Sequence, residues 1–423
     1  MNSANRSVSI NESAIVEKTK PPLPSSLLFA LGVLAPFYLT VENRIYPSEL
    51  ILVALLPIVI VGLTRRGDRT ALLLTLVGAA WLIVQLLTDW YRLVPLSRSL
   101  PGVLNIAFFL VDLLVLRWAL ITDRSRALFA IGLALGGLSA TVLQPGELFS
   151  EAVWKFGYAT PVTILVVVLV IKTGIGRKGV AATLIVLAVV HTALDFRSLA
   201  GMCLVAAIVA MRRSHPRIGS TAKVFKVAFS LFLLGVLGFL AYSDLADSGN
   251  LGTSAQQRYQ SQAAGAYGLM VGGRKEMVAL GFAISDSPLI GSGSRGGLTT
   301  DEYARTVQFF NKAGYILYPP DVAYLTQEPF PAHSVILGAW YAAGLIGLTF
   351  WLVVLALLAR GALRSIRGTT PVYVWLAGSS AIWAILFSPL AADARLGLAF
   401  AVVLVLGRPS ISGSSDLTAI PFK

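Results

Sequence analysis

His333 is the residue in this chain best placed to move a proton. It follows Pro329, Phe330 and Pro331 and opens a long apolar run that reads as a helix. Proline just ahead of a helix start marks such a boundary. The amino end of a helix carries partial positive charge, which disfavours imidazolium and keeps the ring neutral, ready to accept a proton. The same end favours a bound anion. A plain capping or interfacial histidine is the alternative reading.

Several cations could hold an anion near such a base. Arg197 lies in Asp195-Phe196-Arg197, a hairpin between two short apolar runs. Arg197 and Arg212 enclose 14 residues, about 21 Å of helix at ~1.5 Å per residue, against a hydrocarbon layer of ~30 Å. The hairpin is therefore expected below the outer surface, where a guanidinium can fork onto a lipid phosphate or be neutralised by Asp195. Arg274 and Lys275 begin a short apolar helix, and Arg295 sits in a glycine-rich turn that starts at Gly291. That turn matches G-x-G-x-x-G, but no βαβ pattern surrounds it, so a dinucleotide site is not expected.

The remaining polar groups read as structural. His191, four residues before Asp195, is expected to make a buried hydrogen bond, and His215 sits in a basic loop. Asp112, inside an apolar run, is a proton-relay candidate or the partner of Arg117. The single cysteine, Cys203, permits neither an intramolecular disulfide nor a cysteine-based metal site. No metal cluster is evident and no cofactor is implied.

The elements that must position these groups are membrane helices. The chain has 423 residues, 56% hydrophobic and 13% charged, with mean hydropathy +0.75. A soluble domain of this size carries roughly a quarter charged residues. The bilayer must be the solvent for most of this surface. A net charge of +13 would suit nucleic acid, but no basic aromatic patch exists to track a phosphate backbone. The polar first 22 residues do not read as a signal peptide.

Twelve apolar spans are expected, at 25–41, 48–63, 70–87, 102–116, 127–143, 157–171, 180–194, 198–211, 227–243, 333–358, 371–388 and 396–406. With both termini in the cytoplasm, alternation puts 22 of the 34 basic residues inside, including Arg65, Arg66, Arg117, Arg124 and Arg360, against 5 of the 21 acids. That is the positive-inside pattern. The division is then a tail over 1–24, spans over 25–243, an outer loop over 244–332, spans over 333–406 and a tail over 407–423. A loop of 89 residues is expected to be functional. Within it, Thr299 and Glu302 form a capping box for a helix to Lys312 with Tyr303, Val307 and Phe310 on one face. Such a helix suits a membrane surface, the roof of a pocket or ordinary packing in the loop.

At His333 the pattern becomes recognisable. His333-Ser334, nine residues, Gly344, two residues and Gly347 resembles the motif of the bacterial O-antigen ligases. Arg274 to Gly293, with Ser287-Pro288-Leu289-Ile290-Gly291, resembles the block in that family's large periplasmic loop. Asp195-Phe-Arg197-Ser resembles its earlier arginine block. The resemblance implies an all-α polytopic fold of GT-C-like kind in the bacterial inner membrane. It implies an inverting glycosyltransferase that moves a glycan from undecaprenyl diphosphate to an acceptor hydroxyl at the periplasmic face, without a metal. Lipid A core is the acceptor for a ligase and a growing glycan for an O-antigen polymerase, whose branch shares these features. His333 is then the base and Arg197 and Arg274 clamp the diphosphate, with Arg295 and Lys275 as further candidates for binding it. A transporter is the rival from another class, but transporters usually gather polar groups at mid-membrane.

Overall fold

The computed structural model describes residues 21–39, 45–211, 238, 240, 242–327, 330, 332–367 and 372–407. Every regular element among them is a helix, and the extended pairing there is one bridge between Leu39 and Ile45. In chain order these are α1 (Ser25–Leu34), α2 (Pro47–Arg65), α3 (Arg69–Tyr91), α4 (Leu96–Ala119), α5 (Asp123–Leu143), α6 (Ala159–Lys172), α7 (Gly176–Ala193) and α8 (Arg197–Met211). After a helical stretch over 242–247 come α9 (Thr253–Ala263), α10 (Gly268–Gly272), α11 (Lys275–Asp286), α12 (Thr300–Lys312) and α13 (Pro319–Leu325). The chain continues with α14 (Val335–Arg367), α15 (Val372–Phe387) and α16 (Arg395–Leu406).

Seven of the described helices are long and apolar enough to cross a membrane, and α1, α8, α15 and α16 are shorter apolar helices. Exposed Leu, Ile, Val and Trp side chains cover their outer faces, as lipid-facing surface requires and water-facing surface does not tolerate. Most of the ninth expected span, 227–243, lies outside the described residues, as do Arg6, Lys18, Lys20, Arg212, His215, Pro329, Pro331 and Arg408.

Polar contacts sort the helix ends into two faces. On one, Arg117 pairs with Asp68 at 2.9 Å, Arg66 donates to the Trp118 carbonyl, and Tyr373 donates to Asp123. On the other, Arg395 forks onto Glu49, Asp89 accepts from the Ser294 amide, and the whole stretch from α9 to α13 is carried. Between them lies an apolar core in which Trp81, Phe109, Phe350 and Trp351 of α3, α4 and α14 meet with ring centroids 5.0–6.3 Å apart.

Two expectations are corrected. Asp112 does not pair with Arg117. Five residues on a helix turn through about 500°, so the two side chains leave on different faces. Arg117 reaches Asp68, and both Asp112 oxygens are buried without a hydrogen-bond partner. The segment expected as one span over 333–358 is also not a continuous helix. It breaks at Ala343 and Gly344 (φ +60°, ψ −148°) and then runs on to Arg367.

That break is where the outer loop docks. In an unbroken helix the Leu345 amide would donate to the Tyr341 carbonyl. Here it donates to Leu289 in the loop at 3.1 Å, while Tyr341 accepts from Ser292 at 2.7 Å and Ala342 from Gly293 at 2.9 Å. The loop thus satisfies backbone groups that the break exposes. The outer end of α3 clamps the other side. Thr88 donates to the Ile290 carbonyl, Arg92 to Gly291 and to the Ser287 hydroxyl, and Asp89 accepts from Ser294 at 2.6 Å.

α12 begins as its capping box requires, with both reciprocal bonds formed. Its Thr306 and Phe310 are buried, and Phe310 joins Tyr315 and Ala313 in a small cluster with Val278 of α11. It is a packed loop helix.

Candidate functional site

His333 stands one residue ahead of a cap. The helix starts at Val335, and Ser334 accepts from the Leu337 amide at 3.3 Å. The histidine–serine pair therefore divides its work, with Ser334 closing the helix end and His333 left free for its own contacts. The imidazole stacks on Tyr324 of α13, with centroids 5.6 Å apart and planes 21° from parallel. Burial lowers the His333 pKa from its ordinary value, and the charges of Arg274 and Lys155 lower it further. The ring is a neutral base held beside cations. Burial pushes the Tyr324 phenol up, with Glu276 adding to the rise, so Tyr324 is a neutral stacking partner.

Arg274 is brought to the same place by α11. It occupies the cap position of that helix, and its guanidinium lies 5.6 Å from the centroid of Phe387. Nη1 donates to the Phe387 carbonyl at 3.4 Å and lies 3.6 Å from Glu276 Oε1. Phe387 ends α15, where carbonyl dipoles favour a cation. Ser334 approaches the Ile385 carbonyl of the same helix end at 3.5 Å. Burial raises the Glu276 pKa against the pull of Arg274.

The docking at Gly344 fixes this geometry. From Arg274 the chain runs through α11 to Gly293, which is bonded to Ala342. The first segment of α14 then runs back to His333. Each leg is helix or hydrogen-bonded loop, so base and guanidinium are held in register by a closed path.

Arg197 is placed elsewhere. Its Nη2 lies 2.8 Å from Asp195 Oδ1, and its guanidinium packs 4.2 Å from the Tyr242 ring centroid and donates to the Tyr242 hydroxyl. Among the described residues no contact joins it to Arg274 or His333. Asp195 itself has φ +56°, in the left-handed region that few non-glycine residues adopt. Lys275 is committed to Asp321 at 2.5 Å and ties α11 to α13. Arg295 is committed to Glu302 at 2.5 and 2.6 Å and to the Tyr341 hydroxyl at 2.9 Å. Both hold the loop's own architecture together.

A cavity of about 570 Å³ opens between α5, α6, α15 and α16, lined chiefly by Ala, Leu, Ile, Val and Phe. Leu199 of α8, two residues beyond Arg197, forms part of its wall, and Pro389 and Asp393 lie at one end. His191 makes the buried structural bonds expected of it. Trp154 donates to Nδ1 at 3.0 Å, so Nε2 carries the proton and donates to Thr163 Oγ1 at 2.9 Å. Thr163 in turn donates to the Ala159 carbonyl.

Sequence reasoning missed Lys155, Tyr324, Glu276 and Phe387. Each is an unremarkable residue in its own segment, and only the fold relates Lys155 and Tyr324 to His333 and sets Glu276 and Phe387 against Arg274. Comparison with known protein families returns no match, and none of the curated proteins matches the chain.

Proposed function

We propose that this protein is an inverting glycosyltransferase of O-antigen-ligase kind, with twelve spans and a GT-C-like arrangement in a bacterial inner membrane. It takes a glycan from undecaprenyl diphosphate at the periplasmic face. The observation that supports the reading is that Arg274 and Ser334, the neighbour of His333, both reach the end of α15 on the face that bears the long loop, and that the Arg274 charge helps keep His333 neutral. The acceptor is a hydroxyl of lipid A core or of a related surface glycan. The acceptor oxygen attacks the anomeric carbon as His333 takes its proton. The bond from that carbon to the diphosphate oxygen breaks, and undecaprenyl diphosphate leaves with the electron pair. Charge placed in advance where charge develops is usually the largest catalytic contribution, and Arg274 supplies it here. Arg197, which the resemblance implies as a second clamp, is held apart from His333 and Arg274 by Asp195 and Tyr242 and has no part in the step as written.

Two features support the sidedness. The basic residues bias one set of connections toward the cytoplasm, and Arg274, His333 and the long loop share the opposite face. The same residues would serve an O-antigen polymerase, which joins repeat units instead. Deleting the gene and running a glycolipid gel separates the readings. Loss of all long chains from lipid A core is the expected result. A single repeat unit left on the core would make the protein a polymerase, and an unchanged ladder would remove both readings.

A further inference from the structure

Lys155 belongs both to the cavity and to the surroundings of His333. It lines the cavity between α5, α6, α15 and α16, and its charge is felt by the His333 ring together with that of Arg274. Its ammonium lies 4.9 Å from the centroid of Phe156. No carboxylate among the described residues pairs with it. That sets it apart from Lys275, Arg295, Arg305, Arg117 and Arg395, which all hold acids.

Its position is built. Residues Trp154–Tyr158 form one π-helical turn ahead of α6, a form often found at functional sites. Trp154, next in sequence, is pinned to buried His191, which is pinned to Thr163. This chain of bonds fixes the backbone from which Lys155 projects. The other charged side chains at the cavity are Asp393, Asp123, Arg126 and Lys172, with Asp123 and Arg126 in an ion pair of 3.1 Å.

A cation in the lining of an apolar cavity matches a ligand with an anionic head and a hydrocarbon tail. We infer that Lys155 is a phosphate-binding residue for the isoprenoid diphosphate, holding its head on the cavity side while Arg274 holds it on the His333 side. This rests on the proposed function above and adds a residue and a seat that the reading does not itself require. A lysine serves phosphate as a mobile point charge with three donors, whereas Arg274 offers a planar fork.

The test is binding of undecaprenyl diphosphate to the purified full-length protein in nanodiscs, with inorganic diphosphate and phosphatidylglycerol as comparison ligands. Wild type is expected to prefer undecaprenyl diphosphate to both. Lys155→Gln is expected to weaken it about tenfold or more, the loss of a hydrogen bond to a charged group. Lys155→Arg should stay within about threefold, since the charge remains. Bound undecaprenyl diphosphate should also shield wild-type Lys155 from acylation, read by mass spectrometry without any substitution. If Lys155→Gln binds as wild type does and shielding is absent while Arg274→Gln loses affinity, Lys155 is not a ligand and the glycosyltransferase reading stands. Wild type that binds phosphatidylglycerol or inorganic diphosphate as tightly as undecaprenyl diphosphate would overturn both.

Discussion

At the scale of single residues, the account depends on a histidine that is a base because of where it is buried. The helix end expected to keep His333 neutral is capped by Ser334, and the larger influence is burial, followed by Arg274 and Lys155. All three lower its pKa below the ordinary 6.5. The neutral ring is the active form, so a lowered pKa extends activity toward acid. The acid-side midpoint of the kcat/KM profile for transfer should therefore lie below pH 6.5. A fall centred above 6.5 would show that His333 is not the group titrating. His333→Ala should cost ~10²–10⁴-fold in kcat. Arg274→Ala should cost ~10²–10³-fold, as removal of a preorganised donor does elsewhere, with the protein still inserted and folded. Single-turnover rates in vesicles measure both. A variant at either position with wild-type rate would remove that residue from the chemistry.

At the scale of elements, the histidine motif owes its two glycines to packing. Gly344 has φ +60°, and a Cβ there would stand 2.1 Å from the Leu289 carbonyl oxygen. A Cβ on Gly347 would stand 2.2 Å from the Ala339 oxygen. Gly344 cannot accept a side chain while the loop after α11 stays docked, and Gly347 cannot while the two segments of α14 keep their break. Gly344→Ala should therefore cost about 2 kcal/mol or more, from positive φ and steric conflict together. Limited proteolysis should cut the 287–297 region faster in this variant. Gly174→Ala is the control, since φ is +67° there but nothing lies within 4 Å. Equal losses at both positions would mean that strain alone matters and docking does not. Asp89→Asn should release the loop from its other side. The carboxylate holds the Ser294 amide and the Ser99 hydroxyl, each at 2.6 Å, and loss of such charged bonds costs ~1.5–3 kcal/mol in total stability.

These elements also show what could be read in advance. The capping box at Thr299 and Glu302 was legible because its four residues are adjacent and its bonds are local. The apolar helices were legible because hydropathy accumulates over some twenty residues. The break in α14 was not. A glycine in an apolar run looks like any small helical residue, and its reason lies with Leu289, far away in sequence. Asp112 and Arg117 looked like partners because they are close along the chain, but helical rotation separates them. Arg274 and His333 could be named from the sequence, whereas the approach of Arg274 and Ser334 to the end of α15 is a property of the fold. Arg295 and Lys275 carried the same sequence signal as Arg274, but both are held by acids that pattern alone could not assign.

At the scale of the whole molecule, one buried pair joins the first and last described quarters of the chain. Arg395 is 2% and Glu49 1% exposed, and Asn105 completes the guanidinium at 2.9 Å. Phe108 and Tyr46 cover its faces. Two charges withdrawn from water are tolerated because each satisfies the other. Breaking the pair by Glu49→Gln or Arg395→Met should cost ~3–5 kcal/mol, while the double apolar replacement should recover much of that loss. Thermal unfolding of the three variants in one detergent measures the difference. Additive losses would show that the residues act independently. The pair helps anchor α2, α4 and α16 on the face that carries Arg274 and His333, and so supports the site from a distance.

The central claim is that His333 and Arg274 act together on one lipid-linked diphosphate. It is tested most directly by purified protein in vesicles given an undecaprenyl-diphosphate glycan and lipid A core, with released undecaprenyl diphosphate as the readout. Wild type should release it in step with glycan appearing on the core, and His333→Ala and Arg274→Ala should each reduce release to near background. Release at the wild-type rate by both variants, or passage of a solute across the membrane with no release at all, would contradict the account.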